Sequence, residues 1–196
     1  LDQAAHLQAR SAIVITGHGA TEVEAATASA TSATSTFDLK FVRQEPQLGT
    51  GHAVQQAVPH LPADGMAVVL SGDVPLTQAD TLRALVAASE GDKLALLTVT
   101  LPDPKGYGRI VRNADGAVQG IVEHKDATEV QRAITEVYSG IMAVPARRLT
   151  PWLARLTNHN AQGEYYLTDI VAMAVADGVP VVAHRITDAL QVAGVN

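Results

Sequence analysis

Cysteine is absent from this chain, so it can build neither a disulfide framework nor a thiolate metal site, and a cytoplasmic location is expected. Long apolar runs are missing too. Hydrophobic residues make up 47% of the sequence, yet no stretch approaches the roughly 18 uninterrupted apolar residues of a membrane span. Asp2 and His6 stand where a leader would have a basic start and an apolar block, so no secretory leader is expected. Positive charge is scarce. Fourteen Lys and Arg face 20 Asp and Glu, and the formal charge of −6 argues against general nucleic-acid binding. The seven His residues never fall at His-x-x-His or His-Glu-x-x-His spacing, which excludes a motif-type zinc site. No Gly-Lys-Ser/Thr closes a P-loop, and the three-glycine dinucleotide fingerprint does not occur. Ser71 lacks a nucleophile-elbow context, so acyl-enzyme chemistry is not expected.

What is present reads as one α/β domain over residues 1–196, with no internal repeat or linker. Helical spacing over residues 1–10 precedes an apolar strand at 12–16, and a small-residue helix at 20–30 follows. The Ala-, Ser- and Thr-rich residues 25–36 suggest a frayed helix end or loop. Strand 38–42 leads into a Gly-rich loop that opens a helix to about residue 58. Residues 66–70 read as a strand buried on both faces, and Thr77 as the N-cap of a helix reaching residue 89. A strand at 93–101 completes an alternation that implies βαβ units and a mainly parallel sheet with helices on both faces. Short strands at 109–112 and 117–123, joined through Asn113-Ala114-Asp115-Gly116, form a β-hairpin insert, expected as a lid or subdomain over the sheet end. A short helix at 127–132, a strand at 134–144, helices at 147–156 and 167–176 and a last strand at 179–186 follow.

Five stretches could carry chemistry. Strand 66–70 runs into Ser71-Gly72-Asp73-Val74-Pro75, placing one carboxylate at a strand end, where ligands of α/β sheets gather. Asp73 there suits a metal ion or a ribose, or simply starts a turn. Gly49 and Gly51 flank Thr50 at a helix entry, exposing N–H groups to an anion or serving only as a tight entry. Gly106-Tyr107-Gly108-Arg109-Ile110 allows a flat or polyhydroxylated ligand close approach, or is a bulged hairpin start. Glu123-His124-Lys125-Asp126 lies at a rim, as solvated charge or as carboxylates that accept sugar hydroxyls. Gln162-Gly163-Glu164-Tyr165-Tyr166-Leu167-Thr168-Asp169 is a polar-aromatic turn before a helix, in which Thr168 or Asp169 could cap and Tyr165 could be core.

Together, Gln47 to Ala53, Gly72 to Leu76, Gly106 to Ile110, Ile121 to Ala127 and Asn160 to Tyr166 resemble the nucleotide-sugar pyrophosphorylases. Within them the chain is similar to the uridylyltransferase domain of the bacterial bifunctional uridylyltransferase/acetyltransferase enzymes of UDP-N-acetylglucosamine synthesis. The resemblance implies a Rossmann-like nucleotide-diphospho-sugar transferase fold. It also implies uridylyl transfer from UTP to N-acetylglucosamine 1-phosphate, giving UDP-N-acetylglucosamine, a peptidoglycan and lipopolysaccharide precursor, and pyrophosphate. On this resemblance Asp73 and Asn196 hold Mg²⁺, a hard ion suited to oxygen ligands. Gln44, Gly49, Thr50 and Gly72 contact the uridine nucleotide, Gly108, Glu123 and the Tyr166-Leu167-Thr168 turn face the sugar, and Ser71 and Tyr138 are further substrate-binding candidates.

Two departures bear on function. Tyr138 precedes Ser139-Gly140-Ile141, where the family has Asn. The family's opening strand and its Gly-rich, basic triphosphate loop have no counterpart, nor does the acetyltransferase β-helix through which the family trimerises. With Leu at position 1, this suggests a fragment with little or no turnover by itself. The alternatives are a non-catalytic nucleotide-sugar binding module, or a pyrophosphorylase for another sugar 1-phosphate.

Overall fold

The computed structural model describes residues 1–31 and 37–195. In chain order it contains α1 (Asp2–His6), β1 (Ser11–Thr16), α2 (Ala20–Thr31), β2 (Asp38–Arg43), α3 (Thr50–Ala57), β3 (Met66–Val69) and α4 (Ala79–Ala88). There follow β4 (Leu94–Thr100), β5 (Arg109–Arg112), β6 (Val118–Val122), α5 (Glu129–Arg132), β7 (Glu136–Pro145), α6 (Ala146–Leu153), α7 (Asp169–Ala176) and β8 (Val181–Ile186). The expected loop over 25–36 lies partly outside the described residues. Among those described, no helix is long and apolar enough to cross a membrane.

The reason β4 is central is visible in its side chains. Leu94 to Leu97 are fully covered, with Leu94 and Leu96 in one apolar cluster and Ala95, Leu97 and Val99 in the other. An unbroken apolar run of this kind is what a strand covered on both faces requires. One cluster takes in Val54 of α3, Leu149 and Trp152 of α6 and Ile170 of α7. The other takes in Leu82 and Leu85 of α4. Helices therefore cover both faces, as expected.

The sheet corrects the expectation of mainly parallel pairing. Its six strands run β6-β5-β7-β4-β8, with β3 also paired to β7. Only β4 with β8, and β1 with β2 in a separate two-stranded sheet, pair in parallel. The ladders β3 to β7, β4 to β7, β5 to β6 and β5 to β7 are antiparallel. Two reversed strands cause this. β3, β4, β5 and β8 share a direction; β7 is inserted against it between β3 and β4, and β6 runs against it beside β5.

Three further expectations are corrected. Residues 66–69 are half-buried rather than buried on both faces, because β3 pairs only with β7 among the described strands. Thr77 does not cap α4. Its hydroxyl donates to Gln191 O at 2.8 Å, and the N-cap position falls to Gln78 without a side-chain bond. The β5–β6 hairpin is no separate lid. It joins the main sheet where Arg109 pairs with Val137, and it packs on α7. Its turn is as expected, with Asn113 Oδ1 accepting from the N–H groups of Asp115 and Ala117 and Gly116 at φ +83°.

One irregularity shapes the site. Leu96 pairs with Met142 and Thr98 with Tyr138, so Leu97 alone opposes Ser139, Gly140 and Ile141. Ser139 Oγ donates to Leu97 O at 2.8 Å, and Gly140 takes φ +88°. Two extra residues preserve the alternation, so Tyr138 and Met142 still face the same cluster.

Candidate active site

The first group of candidate residues lies where β2 ends and α3 begins. Gln44 N–H donates to Thr16 O at 2.8 Å, and its side-chain amide donates to Gly49 O at 2.9 Å. Its amide nitrogen also lies 3.1 Å from His52 Nδ1. Gly49 takes φ +107°, and a Cβ on it would lie 2.7 Å from Tyr165 O. A Cβ on Gly51 would lie 2.5 Å from Leu156 Cδ1. Gly51 N–H donates to Tyr165 O at 2.7 Å, Tyr165 N–H to Leu48 O at 2.8 Å, and Leu167 N–H to Thr50 Oγ1 at 3.0 Å. Both glycines are thus required by a loop zipped to residues 164–167. A tight entry into α3 is what the packing demands, and Thr50 keeps its hydroxyl proton to donate.

The second group is the turn after β3. Ser71 meets the β7 bulge, where a Cβ on Gly140 would lie 3.2 Å from Ser71 Oγ. At Gly72 a Cβ would meet nothing within 4 Å. Asp73 is exposed, and no hydrogen bond or ion pair among the described residues engages its carboxylate. A returning strap closes on it: Val195 N–H donates to Asp73 O at 2.8 Å, and a Cβ on Gly194 would lie 3.8 Å from Asp73 Oδ2. Gln191 fastens that strap, its Oε1 accepting from Thr81 Oγ1 at 2.6 Å. Asn196, the other expected Mg²⁺ ligand, lies outside the described residues.

The third group gathers the expected sugar-side residues. Glu123 Oε1 accepts from Thr168 Oγ1 at 2.8 Å, so Thr168, at the N-cap of α7, spends its hydroxyl on Glu123 rather than on the helix. A Cβ on Gly108 would lie 3.5 Å from Glu123 Oε1 and 2.7 Å from Ile121 Cγ2. Tyr138 N–H donates to Gly108 O at 2.9 Å. The Tyr138 hydroxyl is buried without a partner, and burial together with the Glu123 charge pushes its ionisation far up. Tyr166 OH donates to Asp126 Oδ2 at 3.1 Å. Burial, then the charges of Asp126 and Glu164, hold the Glu123 carboxyl above its ordinary range, against the Thr168 bond that lowers it. Asp169 is raised by burial and by Glu123 and Asp126. A cavity of about 230 Å³ is lined by Glu123, Asp126, Tyr166 and Asp169, with Asn160 and His159 at its edge. A somewhat larger cleft of about 260 Å³ lies away from these groups, between β6 and the α7–β8 connection.

Sequence reasoning placed Asp126 at a rim but did not foresee its bond to Tyr166, and it missed Asp169 as a third carboxyl on the cavity. The signal was present in the spacing of Tyr166 and Asp169, three residues apart at a helix entry. Gln191 had no such signal. No cluster of three or more His, Cys, Asp or Glu capable of holding a metal occurs among the described residues. Among the described residues, a cation at Asp73 would meet one protein carboxylate and be completed by phosphate and water oxygens.

A six-stranded mixed sheet with its candidate residues on the loops and strand ends matches a known class: the chain belongs to the family described as the MobA-like NTP transferase domain, which matches residues 1–184. It is 78% identical over 196 residues to the bifunctional protein GlmU of Paracidovorax citrulli, covering all of this chain and 41% of that protein. To the bifunctional protein GlmU of Albidiferax ferrireducens it is 72% identical over 196 residues, covering 42% of that protein. The chain thus spans less than half the length of these relatives. The fold is also that of a UDP-glucose pyrophosphorylase solved with UDP-glucose, with a TM-score of 0.75, 13% identity, and coverage of 95% of this chain and 76% of that one. The Rossmann-like nucleotide-diphospho-sugar transferase fold expected from the sequence is the fold observed.

Proposed function

We propose that this chain carries a uridylyl-transfer site for UTP and N-acetylglucosamine 1-phosphate, the products being UDP-N-acetylglucosamine and pyrophosphate. One observation carries the reading: the five motif stretches, far apart in sequence, are linked by a chain of short contacts. Loop 47–51 is zipped to 164–167, Thr168 reaches Glu123, Glu123 abuts Gly108, and Gly108 O holds Tyr138 N–H. Two residues beyond Tyr138, a Cβ on Gly140 would come within 3.2 Å of Ser71 Oγ, beside Asp73. Gly72 adds support, since neither a positive φ nor a neighbour within 4 Å explains its glycine, and a closely approaching ligand would.

In the reaction an oxygen of the sugar phosphate attacks the α-phosphorus of UTP in line, and the bond to pyrophosphate breaks. No covalent enzyme intermediate is needed, so the work of the protein is positioning and charge complementarity. Gln44 and Thr50 would orient the uridine nucleotide, and Glu123 would accept hydroxyl protons of the sugar while Thr168 holds its carboxylate. Asp73 would hold Mg²⁺, which when bound supplies neutralisation of the phosphate charge. The test is calorimetric titration of the 196-residue chain with UDP-N-acetylglucosamine and with UTP, each with and without Mg²⁺. Binding of UDP-N-acetylglucosamine is expected. Asp73→Asn is expected to abolish the Mg²⁺-dependent part of UTP binding while UDP-sugar binding partly survives. Absent UDP-N-acetylglucosamine binding, or an unchanged Mg²⁺ response in Asp73→Asn, overturns the reading.

A further inference from the structure

Behind the sugar-side residues lies a buried cation with no ion-pair contact to a carboxylate among the described residues. Arg109 is 1% exposed, and none of the ion pairs among the described residues includes it. Its guanidinium donates instead to Tyr107 O, to Arg132 O at 3.5 Å and to His124 Nδ1 at 3.2 Å, and its Nε finds no partner. Desolvation and the nearby Arg132 charge lower its proton affinity, while Asp103 pulls the other way. Removing a guanidinium from water without an ion pair is costly, so a fold that keeps one there needs a reason.

Its position supplies one. Gly108 and Arg109 are successive residues at the entry of β5, and Glu123 and His124 are successive residues at the exit of β6. Arg109 pairs with Val122 across the two strands. Gly108 lies against Glu123 just beyond the Arg109–Val122 pair, and the Arg109–His124 bond ties the same two strand ends together. His124 is held a second time, where Arg132 Nε donates to its carbonyl at 3.4 Å. A guanidinium is a donor only, so the His124 ring must present an unprotonated Nδ1 and carry its hydrogen on Nε2.

We propose that Arg109 and His124 are positioning residues for the sugar: by locking the strand entry at Gly108 to the strand exit at Glu123, they fix the Glu123 carboxylate where it meets the sugar hydroxyls. The inference rests on the uridylyl-transfer reading. Its test compares UDP-N-acetylglucosamine with UDP, which lacks the sugar and bears one more ionisable phosphate oxygen, by calorimetric titration of the 196-residue chain. His124→Leu deletes the acceptor, whereas His124→Asn keeps an oxygen near the Nδ1 position. His124→Leu should weaken UDP-N-acetylglucosamine about tenfold or more and leave UDP little changed, and His124→Asn should recover most of that loss. Equal weakening of both ligands, or no recovery with Asn, assigns the pair a merely structural role and overturns the proposal. Nitrogen NMR of the unmodified protein provides a check that does not depend on a variant folding. His124 should be the neutral tautomer with hydrogen on Nε2, and an Nδ1–H ring overturns the proposal. If the unmodified chain binds UDP and UDP-N-acetylglucosamine equally, the sugar-site reading itself fails, and the inference fails with it.

Discussion

Glu123 shows at the scale of one residue how a group useful to a ligand burdens the empty protein. Burial and the charges of Asp126 and Glu164 raise its folded pKa, with only the Thr168 hydroxyl acting in the opposite sense. Below the ordinary value of 4.5 the carboxyl is protonated in folded and unfolded chains alike, so it costs nothing. As pH rises through 4.5 the unfolded chain ionises first, and stability is lost until the folded carboxyl has also titrated. Glu123→Gln should therefore raise the melting temperature at neutral pH, and the gain should vanish in acid below that value. It should also let Asp169, raised partly by Glu123, titrate at lower pH. Thermal unfolding across pH 3 to 8, with NMR titration of Asp169, measures both, about one pKa unit corresponding to 1.4 kcal/mol. The same substitution should weaken UDP-N-acetylglucosamine, a trade between stability and binding common at functional sites.

At the scale of elements, the entry of α3 is a joint between distant segments. Leu48, Thr50 and Gly51 bond to residues 165 and 167, and both glycines of the loop are pressed against that segment. Gly49→Ala demands a side chain at φ +107° with its Cβ 2.7 Å from Tyr165 O. It should cost about 1–3 kcal/mol from backbone strain, with the clash added, read as a lower urea midpoint. Gly72→Ala is the control, since its Cβ meets nothing within 4 Å and its φ is not positive. Stability should be unchanged there while ligand affinity falls. In the sequence these two glycines look alike, each a small residue at a strand or helix end. Only the arrival of Tyr165 from more than 100 positions away separates them. By contrast, the Asn113 to Gly116 turn was legible in advance, because it is closed by bonds within a few residues.

For the whole molecule, protection should follow the layers. β4 is flanked by β7 and β8 and covered on both faces, whereas β1 and β2, among the described strands, pair only with each other and are largely half-buried. Amide exchange should be slowest in β4 and β7, approaching global unfolding, and distinctly faster in β1 and β2. Exchange in β1 and β2 as slow as in β4 would show that the two sheets open as one unit. UDP-N-acetylglucosamine should slow exchange at residues 164–168 and 122–124 together, because the Glu123–Thr168 bond ties them.

The sequence by itself determined where the strands and helices fall, which stretches carry polar residues at their ends, and the family those stretches resemble. These depend on local periodicity, turn chemistry and motif order, all present along the chain. The tertiary structure alone decided that β7 runs against its neighbours, because alternation of side chains is the same in parallel and antiparallel strands and carries no direction. It also decided the two-residue bulge that sets Tyr138 and Gly140, the strap that brings residues 191–195 to Asp73, and the lock between Arg109 and His124. Each is a contact between segments whose separate patterns are complete without the other, so it exists only once the sheet has closed.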